Sequence, residues 1–282
     1  MKIGLFGINV GSCGAPEVAG RVAVAAEEAG FESVWTGEHI VLPDPQTPPS
    51  PAPPELPMLD PPVSLAFIAA RTKRLRLGTG IIILPQRNPL VLAKALASVD
   101  VLSGGRLIFG VGVGYLKAEF DALGVSFDAR GARTDEYLDA ITEIWTSEKP
   151  VFRGRYVSFE GVRAEPRPVQ SPHPPIVIGG HSKAALRRAN RRGAGWYGFA
   201  LDPEATGRCM EGLREARRRD GRSEELGELE ITVTPPRPLD PELARRYADL
   251  GVDRLVTLPG ARGPDELVDW VTKAAEVVTA LA

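Results

Sequence analysis

One of the three histidines of this 282-residue chain stands where a reactive group would be placed. His39 follows Gly37 and Glu38, directly after the short apolar segment Ser33–Thr36. An imidazole changes its charge near neutral pH, so it can donate a proton to a substrate or accept one from it. Glu38 either orients His39 or is simply solvated. A lone histidine can also be structural, and the sequence leaves these interpretations open.

A second candidate site joins an apolar segment to a helical pattern. Its four residues are Gly179, Gly180, His181 and Ser182. Two glycines let the backbone come close to a ligand, and the N–H groups of the first helical turn attract an anion. Ser182 can instead cap the helix without any ligand. The cations that follow on one helix face are more often solvated than part of a phosphate clamp; they are Lys183, Arg187 and Arg191.

Glycine alternates through a third segment, at Gly110, Gly112 and Gly114, with Val113 before the last and Tyr115 directly after it. The dinucleotide fingerprint needs a tight turn after the strand, so this pattern is not that motif. Glycines at alternate positions clear one face of a strand, and a flat ring could lie against that face. The other interpretation is packing at a bend of a barrel. We expect the Tyr115 hydroxyl to face the same site.

The sequence lacks the motifs of metal and nucleophilic chemistry. No cluster has the spacing of zinc ligands, and neither a nucleophile elbow nor a P-loop occurs. We therefore expect no metal. A site rich in glycine and apolar groups, with one histidine, suits a bound organic cofactor that does the difficult chemistry itself.

Strand and helix patterns alternate along the chain, which predicts parallel strands joined by helices. The predicted strands are Lys2–Ile8, Ser33–Thr36, Leu75–Leu84, Leu107–Val113, Pro175–Ile178, Trp196–Ala200, Leu229–Thr234 and Arg254–Leu258. The helical patterns are Val18–Ala29, Pro62–Thr72, Pro89–Leu102, Thr134–Trp145, Lys183–Arg192, Pro203–Arg219, Pro241–Leu250 and a last stripe from Leu267 to Leu281. Eight such units predict an α/β protein with a single (β/α)8 TIM barrel over residues 1–282. A doubly wound open sheet is the rival.

Two insertions, one after strand two and one before strand five, exceed the minimal barrel pattern. Pro43–Pro62 has ten prolines in twenty residues, and it leaves the carboxyl end of strand two, where barrel active sites are built. It is either a wall or lid over the site or a passive surface excursion. Val151–Val169 is predicted to contain a short hairpin, Val151–Phe159, and a proline-bearing return to strand five.

Composition limits the partners. Lysine and arginine number 34 against 36 aspartates and glutamates, a net charge of −2, so the chain lacks the basic excess of a nucleic-acid binder. No apolar run reaches the ~18 residues of a membrane span. Cys13 and Cys209 lie far apart in no metal or redox spacing, which favours a reduced, cytoplasmic protein. We expect a small-molecule substrate, no nucleic-acid or membrane partner, and a homodimer.

Several segments, in a specific order and spacing over about residues 1–200, resemble the luciferase-like oxidoreductases. These segments are Gly30–His39, Leu75–Pro85, Arg87–Pro89, Ala93–Lys94, Asp100–Arg106, Gly110–Gly114, Glu119–Phe120, Gly124, Arg133–Glu136 and Ile178–Ser182. The remaining C-terminal residues carry no such motif. The chain is most similar to the branch that uses the deazaflavin coenzyme F420.

The resemblance implies a TIM barrel that binds a flavin or deazaflavin at the carboxyl ends of its strands. It implies a cis peptide bond between Gly80 and Ile81 that forms a bulge in strand three behind the cofactor ring. It also implies a phosphate near the loop Gly179–Ser182. The residues implied to contact the cofactor are Gly80, Ile81, Gly112, Val113, Gly114, Gly179, Gly180, His181 and Ser182. Deazaflavin sugar-phosphate dehydrogenases of this family have an acidic glutamate where Tyr115 stands, so that reaction is not carried over.

Three functions follow from the resemblance and the residues. The first is an F420-dependent oxidoreductase that moves a hydride to or from a small organic substrate. His39 would donate or accept the proton, and Glu38 and Tyr115 are the other candidate catalytic residues. The second is an FMN-dependent monooxygenase, because oxygen chemistry needs a flavin and a deazaflavin does not support it readily. The third is a barrel that only binds a cofactor, which the presence of His39 and of the phosphate loop disfavours.

Overall fold

The computed structural model describes residues 1–275, 278 and 279, so Leu281 of the predicted last stripe lies outside the described residues. The centre of the fold is a barrel of eight parallel strands. They are β1 Lys2–Phe6, β2 Ser33–Thr36, β3 Arg76–Thr79, β4 Leu107–Gly112, β5 Ile176–Gly179, β6 Gly195–Phe199, β7 Glu230–Thr234 and β8 Arg254–Thr257. Strands adjacent in sequence pair with each other, and β8 pairs with β1. The sheet is closed, which confirms the predicted (β/α)8 TIM barrel.

Helices cover the outside of the barrel. In the described chain they are α1 Pro16–Glu28, α2 Pro61–Arg71, α3 Pro89–Ser103, α4 Lys117–Ala122, α5 Arg130–Thr146, α6 Lys183–Arg192, α7 Pro203–Asp220, α8 Pro241–Leu250 and α9 Pro264–Lys273. Several begin after a side chain that accepts a first-turn N–H; these caps are Asp60, Asn88, Ser182, Asp202 and Asp240. The short helix α4 was not predicted. None of the described helices is long and apolar enough to cross a membrane.

Aromatic side chains fill the barrel interior. Trp35 and Tyr197 are fully buried, and their stacked rings have centroids 5.3 Å apart. Glycine provides the space for them, because a Cβ at Gly78 would lie 2.4 Å from the Trp35 ring. Three aliphatic side chains complete this inner cluster: Ile108, Val177 and Val256. The interior is therefore a packed core and not a pore.

A buried arginine closes the end of the barrel where the strands begin. Arg254 is 2% exposed, and its guanidinium donates hydrogen bonds of 2.9 and 3.0 Å to the two carboxylate oxygens of Glu32. It also donates to Glu230, and it lies 5.7 Å from the centre of the Trp35 ring. Burial alone would lower the pKa of Arg254, but the two carboxylates outweigh burial and raise it. This cluster fills the lower end, so a ligand would enter through the opposite end, which we call the mouth.

The third predicted strand, Leu75–Leu84, is interrupted by a bulge. β3 ends at Thr79, the bond between Gly80 and Ile81 is cis as predicted, and pairing with β4 resumes at Ile82–Ile83. The run Leu75–Leu84 is therefore two paired segments and not one, and the bulge that the resemblance implies at Gly80–Ile81 is confirmed.

The alternating glycines of β4 make room for the bulge. A Cβ at Gly110 would lie 1.8 Å from the Thr79 carbonyl oxygen, and a Cβ at Gly112 would lie 2.6 Å from Cδ1 of Ile81. The hypothesis that a flat ring lies directly on this glycine face is therefore wrong, because the bulge already occupies the cleared space. Packing at a bend of the barrel, the other interpretation, explains the pattern. Ile81 is half-buried and presents its remaining surface to the mouth.

The insertion Pro43–Pro62 returns across the carboxyl end of β1. Its last residues are tied there by an antiparallel bridge between Val10 and Met58. The backbone N–H of Gly11 donates a 2.9 Å hydrogen bond to the carbonyl oxygen of Pro57. Most of the insertion is exposed, so these ties define its position on the barrel.

The insertion before β5 contains the predicted hairpin. Phe152–Arg153 pairs antiparallel with Ser158–Phe159. The rings of Phe152 and Phe159 stack with centroids 5.8 Å apart. The hairpin is short, as the predicted span Val151–Phe159 implied.

Candidate active site at the barrel mouth

His39 is held by a buried carboxylate at the carboxyl end of β2. Its Nδ1 lies 3.1 Å from Oε2 of Glu119, and the two side chains are 10% and 0% exposed. Glu119 also accepts hydrogen bonds from the backbone N–H groups of Ile40 and Val41. A carboxylate only accepts, so we assign the ring hydrogen of His39 to Nδ1. Nε2 is then the nitrogen that can exchange a proton with a ligand. We call this pair the His39–Glu119 dyad.

Glu119 is ionised at neutral pH. Burial raises the pKa of this carboxyl, but the hydrogen bonds from His39 and from the Ile40 N–H outweigh burial, and the pKa lies below its usual value. Glu119 belongs to α4, and Gly114 lets this helix approach. Gly114 has φ +75°, and a Cβ there would lie 2.8 Å from the Phe120 ring. The close approach of β4 and α4 therefore brings Glu119 to His39.

Tyr115 lies beside the dyad. Its ring meets the His39 ring edge-on, with centroids 5.9 Å apart, and the residue is 51% exposed. Partial burial and the charge of Glu119 both raise the pKa of Tyr115. The phenol therefore keeps its hydrogen at neutral pH and is available as a donor. The structure brings His39 and Tyr115 together and adds Glu119 to them.

Glu38 neither orients His39 nor is solvated, so both interpretations are wrong. Its side chain is 1% exposed, one carboxylate oxygen accepts from the Arg87 guanidinium, and the other accepts from the Ile83 N–H. Burial raises the pKa of Glu38. Both carboxylate oxygens are thus engaged in fixing the bulge after β3.

Asn9 fixes the backbone that carries His39. Its fully buried side chain donates to the carbonyl oxygens of Gly37 and Leu59 at 2.9 and 2.6 Å, and it accepts the Gly37 N–H at 2.9 Å. The His39 N–H donates to Sδ of Met58 at 3.1 Å. The exits of β1 and β2 and the end of the proline-rich insertion therefore form one unit beside His39. This arrangement favours the interpretation of the insertion as a wall of the site.

The sequence assigned no role to Glu119 or Asn9. The available signal for Glu119 is its place between Leu116 and Phe120, because the positions i, i+3 and i+4 share one helix face. An acidic residue on such an apolar face predicts a buried carboxylate. The signal for Asn9 is its place just after the first strand, where a barrel positions the residues of its site.

The bulge after β3 forms an apolar ledge in the mouth. Ile81 packs on the inner cluster, and a Cβ at Gly179 would lie 2.9 Å from its Cγ2. The rings of Phe6 and Phe199 lie 5.0 Å apart, and Phe199 is 40% exposed. An exposed apolar surface of this kind at the barrel mouth fits a flat, largely apolar ring. Val113, which follows Gly112 at the end of β4, is half-buried.

The loop Gly179–Ser182 joins β5 to α6. Gly180 has φ +118°, a conformation that favours glycine, and its carbonyl oxygen accepts from Trp196 Nε1 at 2.8 Å. Ser182 Oγ accepts from the Ala185 N–H at 3.2 Å, so Ser182 caps α6. The first N–H groups of a helix have no intrahelical acceptor. The loop therefore fits an anionic group at the start of α6.

His181 stands at the start of α6 in the neutral form. Its Nε2 accepts from the Phe199 N–H at 3.2 Å, so the ring hydrogen is on Nδ1. Partial burial lowers the pKa of His181. Among the described residues, no group of three or more His, Cys, Asp or Glu side chains could hold a metal ion. Cys13 and Cys209 are both buried and unpaired.

Comparison with known sequences places this barrel in a family. The profile described as luciferase-like monooxygenase matches residues 6–257. An uncharacterised protein of Mycobacterium tuberculosis (strain ATCC 25618 / H37Rv) is 31% identical over 271 residues, which are 92% of each chain. The FMNH2-dependent dimethylsulfone monooxygenase of Pseudomonas putida is 35% identical over 155 residues, which are 54% of this chain and 40% of that protein.

Solved structures share the whole fold. The monooxygenase RslO1 from Streptomyces bottropensis has a TM-score of 0.81 and 25% identity, with all of both chains covered. An F420-dependent secondary alcohol dehydrogenase, in complex with an F420–acetone adduct, has a TM-score of 0.80 and 17% identity and covers 100% and 99% of the two chains. The second likeness shows the fold alone.

The closed barrel, with its candidate reactive residues at the carboxyl ends of the strands, has the architecture of the TIM-barrel oxidoreductases. Within that class, the chain belongs to the luciferase-like monooxygenase family, whose profile spans most of its length. Similar proteins include F420-dependent enzymes and FMN monooxygenases. The relative from Pseudomonas putida is named for its dependence on FMNH2.

Proposed function

We propose that this protein is an F420-dependent oxidoreductase that moves a hydride between the deazaflavin and a small organic carbonyl compound or alcohol. The observation that carries the proposal is the His39–Glu119 dyad, with 3.1 Å between Nδ1 and Oε2 and a fully buried carboxylate. A carbonyl carbon that gains a hydride leaves an oxygen that needs a proton, and an alcohol that loses a hydride must also lose a proton. Hydride chemistry of this kind therefore needs a group that exchanges protons at the substrate oxygen.

The protein's own residues supply that proton exchange. When bound, the deazaflavin supplies or accepts the hydride. Glu119 holds the His39 ring with Nδ1–H toward the carboxylate, which leaves Nε2 toward the substrate. In the reducing direction, the imidazolium donates its Nε2 proton to the substrate oxygen, and the Glu119 carboxylate stabilises the imidazolium until then. In the oxidising direction, neutral Nε2 accepts the hydroxyl proton. Tyr115 donates a hydrogen bond to the same oxygen.

The residues of the mouth would also hold the cofactor. The ring would lie on the ledge formed by Ile81, with Gly80 behind it, since that surface is apolar and half-exposed. The ends of the neighbouring strands border the same ledge, at Gly112, Val113, Gly114 and Gly179. The phosphate would bind at the start of α6, where Gly180, His181 and Ser182 lead into the helix.

An FMN-dependent monooxygenase is the second candidate function. Its support is the 35% identity to the FMNH2-dependent dimethylsulfone monooxygenase over 155 residues. The likeness to the monooxygenase RslO1, at 25% identity over the whole chain, points the same way. In this case the dyad would protonate or deprotonate a substrate during oxygen chemistry instead of balancing a hydride.

Cofactor binding separates the two candidates. The purified protein is titrated without oxygen with F420, with oxidised FMN and with reduced FMN, and the quenching of cofactor fluorescence or the heat of binding is recorded. We expect F420 to bind at least about tenfold more tightly than either form of FMN. His39→Ala should keep F420 affinity within a few-fold and lose turnover. Tight binding of reduced FMN, coupled to substrate-dependent oxygen uptake, would replace the first candidate by the second.

A further inference from the structure

A groove of about 540 Å³ runs between α6 and α7 on the outside of the barrel. This volume lies within the range of small-ligand sites, which is roughly 300–1,000 Å³. The groove includes His181, next to the start of α6, and Arg219, near the end of α7. Leu186, Ala205 and Cys209 contribute apolar lining between these ends. The groove therefore starts where the proposed phosphate site lies.

Positive charge predominates in this groove. The cationic lining residues are Lys183, Arg187, Arg208 and Arg219, and the acidic ones are Glu211 and Glu215. Arg187 and Arg219 share Asp220 as their partner, and Glu211 is neutralised by two arginines of its own helix. Within the part of the chain that the structure describes, Lys183 and Arg208 form no ion pair. Among the described residues Glu215 forms no ion pair either, so two unpaired cations stand against one unpaired carboxylate, and the groove keeps a net positive charge that attracts an anionic ligand.

We propose that this groove binds an acidic extension of the cofactor, a chain of carboxylates that continues beyond the phosphate. The inference rests on the proposed function and adds a reason for the choice of cofactor. FMN ends at its phosphate and would not enter the groove. F420 continues past its phosphate into glutamate residues, whose carboxylates pair with Arg208 and Lys183 and whose methylene groups contact the apolar lining. Of the three cations on one face of α6, Lys183 and Arg187 line the groove and Arg191 does not.

Deazaflavins that differ in the part beyond the ring and its side chain test the groove directly. We call the glutamate residues beyond the phosphate the tail. The binding constants of F420 with several glutamates, of the same molecule with none, and of the deazaflavin without its phosphate are measured by fluorescence quenching. They are compared in the wild type, in Arg208→Gln, in the double variant Lys183→Gln/Arg208→Gln, and in Arg191→Gln. The last is the matched control, because it removes the same charge from an exposed position of α6 outside the groove. Thermal unfolding of each variant checks that the fold is kept.

The expected result is a loss that depends on the tail. The double variant should bind the glutamate-bearing form about three- to thirtyfold more weakly, from two ion pairs at a partly exposed site. It should bind the form without glutamates within twofold of the wild type. The tail-dependent part of the affinity should also weaken as salt is added, and Arg191→Gln should match the wild type throughout.

Two other results would overturn the inference, and they differ in what they say about the proposed function. If the protein binds all phosphate-bearing deazaflavins equally, and the groove variants change nothing, the groove is no tail site and the F420 proposal stands. If no deazaflavin binds while FMN does, both the groove assignment and the F420 proposal fall.

Discussion

Replacing Glu119 by glutamine tests whether the buried carboxylate positions His39 for proton transfer. In the wild type, Oε2 lies 3.1 Å from Nδ1 of His39, and the other oxygen accepts the Ile40 N–H. Glutamine keeps one acceptor but places an NH2 group against one of these donors. A hydrogen bond to a charged partner is worth about 1.5–3 kcal/mol. At about 1.36 kcal/mol per factor of ten, its loss should lower kcat about 10- to 160-fold.

The assay is turnover with bound cofactor over a range of pH, together with cofactor affinity. In Glu119→Gln turnover should fall at every pH tested, because the imidazolium loses the carboxylate that faces it. Cofactor affinity should stay within a few-fold, since Glu119 does not touch the ledge. His39→Ala should cost about 10²–10⁴-fold in turnover, and Tyr115→Phe should cost less than either. Unchanged kcat in folded Glu119→Gln would refute the dyad.

The remaining predictions concern stability, measured by chemical unfolding. Gly110→Ala should destabilise the fold by about 3 kcal/mol or more, because its Cβ would lie 1.8 Å from a backbone oxygen. Gly20→Ala should instead stabilise the fold by about 0.5–1 kcal/mol, because Gly20 lies in α1 and its Cβ would be 3.8 Å from the nearest atom. Arg254→Met should cost about 3 kcal/mol in the free energy of unfolding, since Glu32 loses its cationic partner and Glu230 keeps only Lys2. The Leu243 N–H donates to the capping Asp240 and lowers the pKa of its carboxyl. Asp240→Ala should therefore lower the free energy of unfolding by about 1 kcal/mol at pH 7. This difference from the wild type should disappear as the pH falls below about 4, because the carboxylate is then protonated. A cost that is constant with pH would contradict the cap.

Most of the fold could be predicted from the alternation of strand and helix patterns. Lys183–Arg192 and Pro241–Leu250 have the predicted bounds, because a cap or a proline marks the start of each and glycine follows each. The bulge at Gly80 could not be found from periodicity, since the run through Leu84 is apolar on both faces and looks the same with or without an interruption. α4 has only six residues, too few for a periodic pattern to stand out.

The sequence predicted which residues lie at the mouth, because their position after a strand places them there. It did not predict which side chains contact each other, because those contacts depend on how the loops pack. His39 and Tyr115 follow strands of the barrel, so the fold alone brings them to the mouth. The partner of His39 is 80 residues away, on a helix whose approach depends on one glycine with positive φ. Sequence proximity favoured Glu38 instead, and the contact that removes it from this role, with Arg87, spans 49 residues. Contacts between side chains so far apart in the sequence depend on the tertiary structure.

Because the lower end of the barrel is filled, the order in which cofactor and substrate bind is constrained. Arg254 and the stacked rings of Trp35 and Tyr197 fill the lower end, so everything that reacts must pass through one opening. A ring on the Ile81 ledge, directly above the inner cluster, would lie deeper than a substrate whose oxygen meets Nε2 of His39. The substrate would then cover the ring, so the cofactor must load first and the product must leave before the cofactor can exchange. Steady-state kinetics would accordingly be sequential and ordered, with cofactor release last.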